Sequence, residues 1–361
     1  MGRFASAEIL FQSDSNQPQN FNKKRYISVV FLVILTTLFM FGMVKLGIGS
    51  REIDVANEEG TLWQKVANLF TVSGEKEPTI DDDPDYIMPE DDNGRWNILL
   101  LGIRGEDDEH ADEAGALLTD TIMVLSYDKM TKKTSLVSIP RDLYVRIYGT
   151  KKDKINSAYE IGIFRKNGLG FTKKLISRIT GVYMDNIVVL DFSSFKQVID
   201  DLGGVDITLE QPFTETQQWG YEFTLPEGEN HLDGQTALYY VRSRFSSSDF
   251  DRAQRQQKVI MAIKDKIFQL DLLADPIRTL TILNTIRKNI NTDLNIWDAG
   301  GLLELSKEFE GAGEKTKRFV ITTENLVYET HIQTDAGNLY VLLPNGDNLL
   351  QIKQLFQEIF K

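Results

Sequence analysis

The chain has 361 residues, 42% apolar and 26% charged, which is the composition of a folded protein and enough length for one large domain or two ordinary ones. Its net charge of -13 argues against a nucleic-acid partner, whose phosphate backbone demands a basic face, so any basic cluster reads as a local site. With no cysteine there is no disulfide, thiolate zinc site or cysteine nucleophile, and three scattered histidines disfavour a histidine metal site, so any metal would be a hard cation on carboxylates.

Met1 to Asn22 is polar and without periodicity and reads as a loose tail. Lys23, Lys24 and Arg25 then introduce Tyr26 to Val44, YISVVFLVILTTLFMFGMV, an uncharged apolar run of the length that crosses a bilayer as a helix. Basic residues dominate its N-terminal flank and acids accumulate after Arg51, so residues 1–22 are expected in the cytoplasm and everything past the span outside. A cleaved signal peptide is the competing reading, but the run is long for such a segment and no clear small-x-small site follows it. Residues 23–49 therefore read as a transmembrane helix with flanks. Residues 50–94 read as a spacer, ending in the acidic, proline-punctuated EKEPTIDDDPDYIMPEDDNG. Acids beside a membrane do not bind anionic headgroups, so this stalk is expected to hold the folded part away from the surface.

The folded part begins at Trp96. NILLLGI (97–103) and TIMVLSY (121–127) are apolar, β-rich runs, and a Lys/Thr turn leads into SLVSI (135–139), predicting a hairpin over Thr121 to Ile139. Helices are expected at Ser157 to Lys166 and Thr172 to Thr180, a strand at Ile187 to Phe192, a helix at Ser194 to Leu202 with Ser193 as its cap and Gly203 and Gly204 ending it, and a strand at Val205 to Leu209. Strands and helices mixed in this order favour a sheet covered by helices, an α/β fold with a central mixed sheet. Residues 95–267 would form its main body. Residues 268–361 would complete it as a mostly helical part, helical to about Phe309, with VLLPNGDNLLQIKQLFQEIF closing the chain as a turn and an amphipathic helix.

One stretch stands out chemically. YYVRSRFSSSDFDRAQRQQ (239–257) crowds Arg242, Arg244, Arg252 and Arg255 together in an acidic chain. A guanidinium is always charged and presents its donors in a flat fork, so arginines gathered at one point suit bidentate capture of phosphate or carboxylate oxygens. The downstream half reads as a helix starting near Ser248 or Asp249, with Arg252, Arg255 and Gln256 on one face of its first turns, near the partial positive charge of the helix N-terminus. The segment reads as a cradle for a diphosphate. The bland alternative is an arginine-rich surface helix paired with its own Asp249 and Asp251, which serve either as partners that orient the arginines or as helix caps.

In order along the chain, NILLLGI, LTDTIMVLS, SLVSIPRDLYV, DKINSAY, LGGVDI, HLDGQTALYYVRSR and DFDRAQRQQ resemble the successive blocks of the LytR-CpsA-Psr proteins of bacterial envelopes, over roughly Asn97 to Ile267. The resemblance implies a sheet between helices, a greasy tunnel for a lipid and an arginine-lined mouth for its diphosphate. It implies an enzyme that takes a glycan polymer from a polyprenyl diphosphate carrier and attaches it through a phosphodiester to a peptidoglycan hydroxyl. Matched residue by residue, the phosphate-binding positions are Arg141 in SIPRD, Arg242 and Arg244 in YVRSR, and Arg252 and Gln256 in DFDRAQRQQ, with Lys154 of DKIN beside them. Asp120 in LTDT matches the acid used beside magnesium, and Asp120, Arg141 and Arg252 would be the catalytic set.

The match has a gap. The family usually carries an aspartate just after the first LLLG strand and an arginine shortly before the TDT acid, and those places here hold Arg104 and Leu117 or Leu118. Between them lies the acidic GEDDEHADEAG, from which Glu106, Asp107 or Asp108 is a substitute ligand to be tested. Two functions stay open: a magnesium-dependent glycopolymer phosphotransferase, or a membrane-tethered, regulatory binder of polyprenyl phosphates without turnover. A bare pyrophosphatase is a third.

Overall fold

The computed structural model describes residues 87–106, 108, 115–245, 247–269, 290–294, 316–334 and 337–361. The expected membrane span at Tyr26 to Val44, most of the acidic spacer and most of the helix expected to reach Phe309 lie outside these residues. Among the described residues no helix is long and apolar enough to cross a membrane.

The first apolar run becomes β1 (Arg95–Ile103), which pairs antiparallel with β2 (Thr119–Asp128), and β2 turns into β3 (Thr134–Ser138) as the hairpin pattern predicts. Asp128 makes that turn, its Oδ1 accepting from the backbone N–H groups of Met130 and Thr131 at 3.0 and 2.7 Å. Every residue of β3 is buried, as expected of a strand covered on both faces. Past the Pro140–Arg141–Asp142 corner the chain makes the hairpin of β4 (Tyr144–Tyr148) and β5 (Lys151–Lys154), then α1 (Ala158–Phe164) and α2 (Gly168–Thr180). It returns to the sheet as β6 (Asn186–Leu190), parallel to β1.

Next comes α3 (Phe192–Asp201). Its cap is Asp191 rather than the expected Ser193: Asp191 is extended and its carboxylate accepts from Ser194 N at 2.6 Å, so the helix starts two residues earlier than the serine pattern suggests. Gly203 and Gly204 end it with positive φ of 75° and 82°, as read from sequence. The strands β7 (Val205–Leu209), β8 (Phe213–Glu215), β9 (Phe223–Leu225) and β10 (Gly228–Leu232) form two small antiparallel pairs, β7 with β10 and β8 with β9. Two helices follow, α4 (Gly234–Arg242) and α5 (Asp249–Gln269). Gly234 allows α4 to lie against α3, since a Cβ there would sit 2.3 Å from the Lys196 carbonyl oxygen. Ile199, Val205, Leu232, Leu238 and Val259 join α3, the β7–β10 pair, α4 and α5 in one apolar cluster.

In its described residues the C-terminal part adds strands that the sequence did not announce. It adds β11 (Ile290–Thr292) antiparallel to β6 and β12 (Thr316–Val320) parallel to β3, completing a six-stranded mixed sheet of order β11-β6-β1-β2-β3-β12. It then forms a hairpin of β13 (Val327–Thr334) and β14 (Gly337–Pro344) before the expected turn and closing helix, α6 (Leu350–Glu358). Short strands that add to an existing edge draw their hydrogen bonds from distant partners, so local periodicity does not announce them.

Candidate functional site

Three corners of this fold converge. Asp120 stands at the head of β2, Arg141 just past β3, and the segment joining α4 to α5 carries the remaining arginines. The joint is built by the short polar residues between the helices. Ser248 Oγ accepts from Asp251 N at 3.1 Å while Asp251 Oδ2 accepts from Ser248 N at 3.0 Å, a reciprocal cap that starts α5. Gln257 pins α5 to the sheet, donating to Ser138 Oγ at 2.8 Å and to the Phe319 carbonyl at 2.9 Å. Gln218 braces the YVRSR segment at the end of α4 from the β8–β9 loop, donating to the Arg242 carbonyl and accepting from Arg244 N, and Trp219 Nε1 donates to Ser243 Oγ.

Within this frame Arg252 and Arg255 part company. Arg255 Nε donates to the Tyr240 carbonyl at 3.0 Å, Nη1 to Ser247 Oγ at 2.9 Å, and Nη2 to the Ser243 carbonyl. It thereby satisfies carbonyls that the end of α4 leaves without a helical partner. Arg252 and Gln256 face a cavity instead.

That cavity, of about 290 Å³, lies between the sheet and α3, α4 and α5. Arg104, Arg141, Arg242, Arg244, Arg252 and Gln256 line it together with Asp120 and Asp191; Thr121, Asn156 and Gln218 add polar groups, and Leu100, Met123, Phe195, Leu238, Val241 and Ile260 are among its apolar wall residues. The start of α3 contributes Phe192 and Phe195 to this wall, whereas α2 buries Leu175, Ile176 and Ile179 in the core. The guanidinium of Arg242 sits 4.0 Å from the Phe192 ring centroid, and that of Arg104 5.7 Å from the same ring.

The charges are uneven. Burial lowers the pKa of Arg252, and Arg141 adds to that effect against the pull of Asp249; burial also lowers Arg242, helped by Arg104. Arg141 goes the other way, because Asp120, Asp249 and Asp142 together overcome its burial and raise it. Its Nη1 donates to Asp120 Oδ1 at 2.6 Å, and its Nη2 lies 3.3 Å from Asp249 Oδ2. An arginine keeps its proton through such shifts, so the depressed pair marks positive charge that an incoming anion would relieve.

The two acids of the DFD motif divide the roles proposed for them, Asp251 capping α5 and Asp249 pairing with Arg141 and, at 3.4 Å, with Arg252. Lys154 does not line the cavity. Its Nζ donates to Asp142 Oδ1 at 2.6 Å, which ties the β5 end to the residue after Arg141. The sequence offered no sign of Arg104 as a wall residue or of the Gln218 and Trp219 brace, which lies in a loop of ordinary polar composition.

Of the acids that could replace the missing carboxylate, Asp107 lies outside the described residues and Glu106 is exposed. Asp108 folds back onto Arg104 at 2.8 Å and lies 3.9 Å from Arg242 Nη1. Gly105 permits this return with a φ of 92° and no Cβ to strike Asp191. Among the described residues no group of three or more His, Asp or Glu gathers to hold a metal. Asp120 and Asp108 both act on the charge of Arg242, and each is itself paired with an arginine, Asp120 with Arg141 and Asp108 with Arg104; as oxygen donors they are of the type a hard cation takes.

Fold and site together define an α/β protein with an arginine-lined, partly apolar cavity beside its mixed sheet. The chain belongs to the LytR_cpsA_psr family, whose model matches residues 63–357. It is 30% identical over 259 residues to the regulatory protein MsrR of Staphylococcus aureus (strain COL), covering 70% of this chain and 72% of that one. It is also 30% identical over 226 residues to the polyisoprenyl-teichoic acid–peptidoglycan teichoic acid transferase TagU of Enterococcus faecalis, covering 62% of this chain and 68% of that protein. The solved structure of TagT bound to LIIa-WTA superposes with a TM-score of 0.55 at 26% identity, covering 76% of this chain and 94% of that one.

Proposed function

We propose that the protein is a membrane-anchored phosphotransferase that moves a glycopolymer from a polyprenyl diphosphate carrier to a peptidoglycan hydroxyl during envelope assembly. The observation that carries this reading is the convergence of Arg141, Arg242, Arg244, Arg252 and Gln256 on a cavity that is also lined by apolar side chains such as Leu100, Met123, Phe195 and Ile260. A diphosphate with a prenyl tail needs both surfaces at once. The related proteins named as transferases of polyisoprenyl-linked teichoic acid support the same substrate class. Lys23 to Arg25 before the apolar run Tyr26 to Val44 supports a single span with the catalytic part outside the cell.

In the reaction, the acceptor oxygen bonds to the glycan-side phosphorus and the bridging P–O bond breaks. Polyprenyl phosphate departs with the electron pair, and the acceptor loses its proton. Arg242, Arg244 and Arg252 neutralise the charge on the diphosphate oxygens as it shifts toward the leaving phosphate. Gln256 donates to the same group, and Arg141 orients Asp120 against it. Magnesium, when bound, supplies further charge neutralisation on the diphosphate, and Asp120 with Asp108 nearby would hold it.

A second reading is a regulatory binder of polyprenyl phosphates without turnover, favoured by Arg104 standing in the place of a carboxylate and by the relative named as a regulatory protein. The separating experiment incubates the full chain in detergent with a polyprenyl diphosphate disaccharide and magnesium, with and without a soluble peptidoglycan oligomer. Polyprenyl phosphate formed only with the oligomer supports transfer. Release without an acceptor indicates a pyrophosphatase, and binding without release indicates the regulatory reading.

A further inference from the structure

A second cavity, of about 330 Å³, backs onto the first and shares Asp120, Thr121, Arg141, Arg252 and Gln256 with it. Its far walls come from elsewhere, from Asp142, from Asp249 at the start of α5, and from Glu329 and Tyr340 of the β13–β14 hairpin. The hairpin is fastened beside Arg141, since Leu342 N donates to the Asp142 carbonyl at 2.9 Å and Leu143 bridges to Leu342. Its lining acids, Asp120, Asp142, Asp249 and Glu329, face Arg141 and Arg252, with Lys154 paired to Asp142 at 2.6 Å, so this wall is less basic than that of the first cavity and less suited to a second phosphate. The half-exposed Tyr340 ring, with Lys154 Nζ 5.8 Å from its centroid and its hydroxyl 3.4 Å from Glu329 Oε2, sets an aromatic surface beside hydrogen-bonding groups, the pairing that suits a sugar ring and its hydroxyls.

A further feature points to a ligand between the cavities. Arg252 is only 7% exposed and lines both, yet its Nε has no hydrogen-bond partner among the described residues. A buried guanidinium with an unmet donor on a shared wall is suited to a phosphoryl group lying across that wall.

We infer that the second cavity seats the acceptor sugar, with Asp249 receiving the proton of its attacking hydroxyl. This rests on the phosphotransferase reading above. An in-line displacement brings the entering oxygen to the phosphorus opposite the leaving oxygen. With polyprenyl phosphate leaving into the apolar cavity, the acceptor must approach from the other side of the Arg141–Arg252 wall, which is the second cavity. The acceptor O–H gives its oxygen to the new P–O bond and its proton to the Asp249 carboxylate. The bridging P–O bond breaks, and its electron pair leaves with polyprenyl phosphate. Asp249 lines the second cavity and not the first, within 3.5 Å of both arginines at 3.3 and 3.4 Å.

The test uses the full chain, a polyprenyl diphosphate disaccharide and a soluble peptidoglycan oligomer as acceptor. Glu329→Gln and Tyr340→Ala should each raise KM for the oligomer about tenfold, the loss of roughly one good contact, while donor affinity measured without acceptor stays unchanged. Asp249→Asn should lower kcat about a hundredfold while KM for the oligomer and donor affinity stay nearly unchanged, and Asp249→Glu should restore part of kcat, a split that a merely structural partner of Arg141 would not give. If instead the hairpin variants weaken donor binding and leave acceptor KM unchanged, the cavity holds the donor's own glycan and the inference falls while the transferase reading stands. If the unmutated protein transfers nothing to the oligomer, the reading itself falls, and this seat with it.

Discussion

Arg141 donates through Nη1 to Asp120 Oδ1 at 2.6 Å, so the acid at the head of β2 and the arginine past β3 neutralise one another at the point where two cavities meet. Asp249 and Asp142 also press on Arg141, so it keeps acidic company even without Asp120. Asp120→Ala is therefore expected to leave the protein folded, to abolish magnesium-dependent turnover, and to hold or tighten the affinity for a diphosphate lipid measured without metal, because a negative charge leaves the anion's surroundings. Calorimetric titration of the lipid in chelator, beside a turnover assay, checks both halves, and unchanged turnover would sink the metal assignment.

Arg252 and Arg255 are one helical turn apart and have different work. Arg252→Ala should weaken binding of a diphosphate lipid by about 1.5–3 kcal/mol, the worth of a desolvated charge-assisted contact, and barely change stability. Arg255→Ala strands the Tyr240 and Ser243 carbonyls in the interior and should instead lower unfolding free energy by about 2–4 kcal/mol. Urea midpoints and lipid titrations of the two variants should cross over in this way; equal small losses in both would mean a surface ion network.

Asp233 caps α4, the helix that delivers Arg242 and Arg244, accepting from Thr236 N at 2.7 Å. The hydrogen bonds from Thr236 hold its carboxyl below the ordinary carboxylate range. A carboxyl with a lowered folded-state pKa contributes stability that is fully present above its unfolded value, near 4, and is lost as pH falls through the lower folded value. Asp233→Ala should cost about 1 kcal/mol at pH 7. The gap between variant and parent should narrow as pH falls below about 4; a gap that stays constant there excludes the ionised cap as its source.

For the membrane arrangement, protease added to intact spheroplasts should remove the large domain, since Lys23, Lys24 and Arg25 outweigh the basic residues beyond the apolar run. Survival of the domain until lysis would reverse the proposed orientation.

Much of the architecture could be read before any coordinates. The apolar, β-rich runs, the turn at Asp128, the glycine pair after α3 and the serine–aspartate start of α5 depend on neighbours a few residues away, and these local preferences agree with the final fold. Edge strands β11 and β12 were not visible, because what makes them strands is the exposed side of β6 and of β3. Asp191 displaced Ser193 as a cap for a related reason: both residue types can cap, and the direction from which β6 feeds α3 chose between them.

The chemical character of the site was likewise written in the residues. Arginines crowded into an acidic chain, with an acid and a Pro-Arg corner upstream, concentrate positive charge in a few short segments, because guanidinium charge and geometry are intrinsic. Only the tertiary structure decided which arginines serve it. Side-chain direction depends on which carbonyls and carboxylates lie within about 3 Å across space. Arg255 is therefore turned onto the end of α4, and Lys154 is held by Asp142 behind Arg141 rather than on the wall of the first cavity. Asp108 is brought back to the arginines by a loop whose acids looked interchangeable, and a second cavity arises only where the β13–β14 hairpin docks against the corner at Arg141. Contacts between residues so far apart in the chain are a property of packing, which no local pattern encodes.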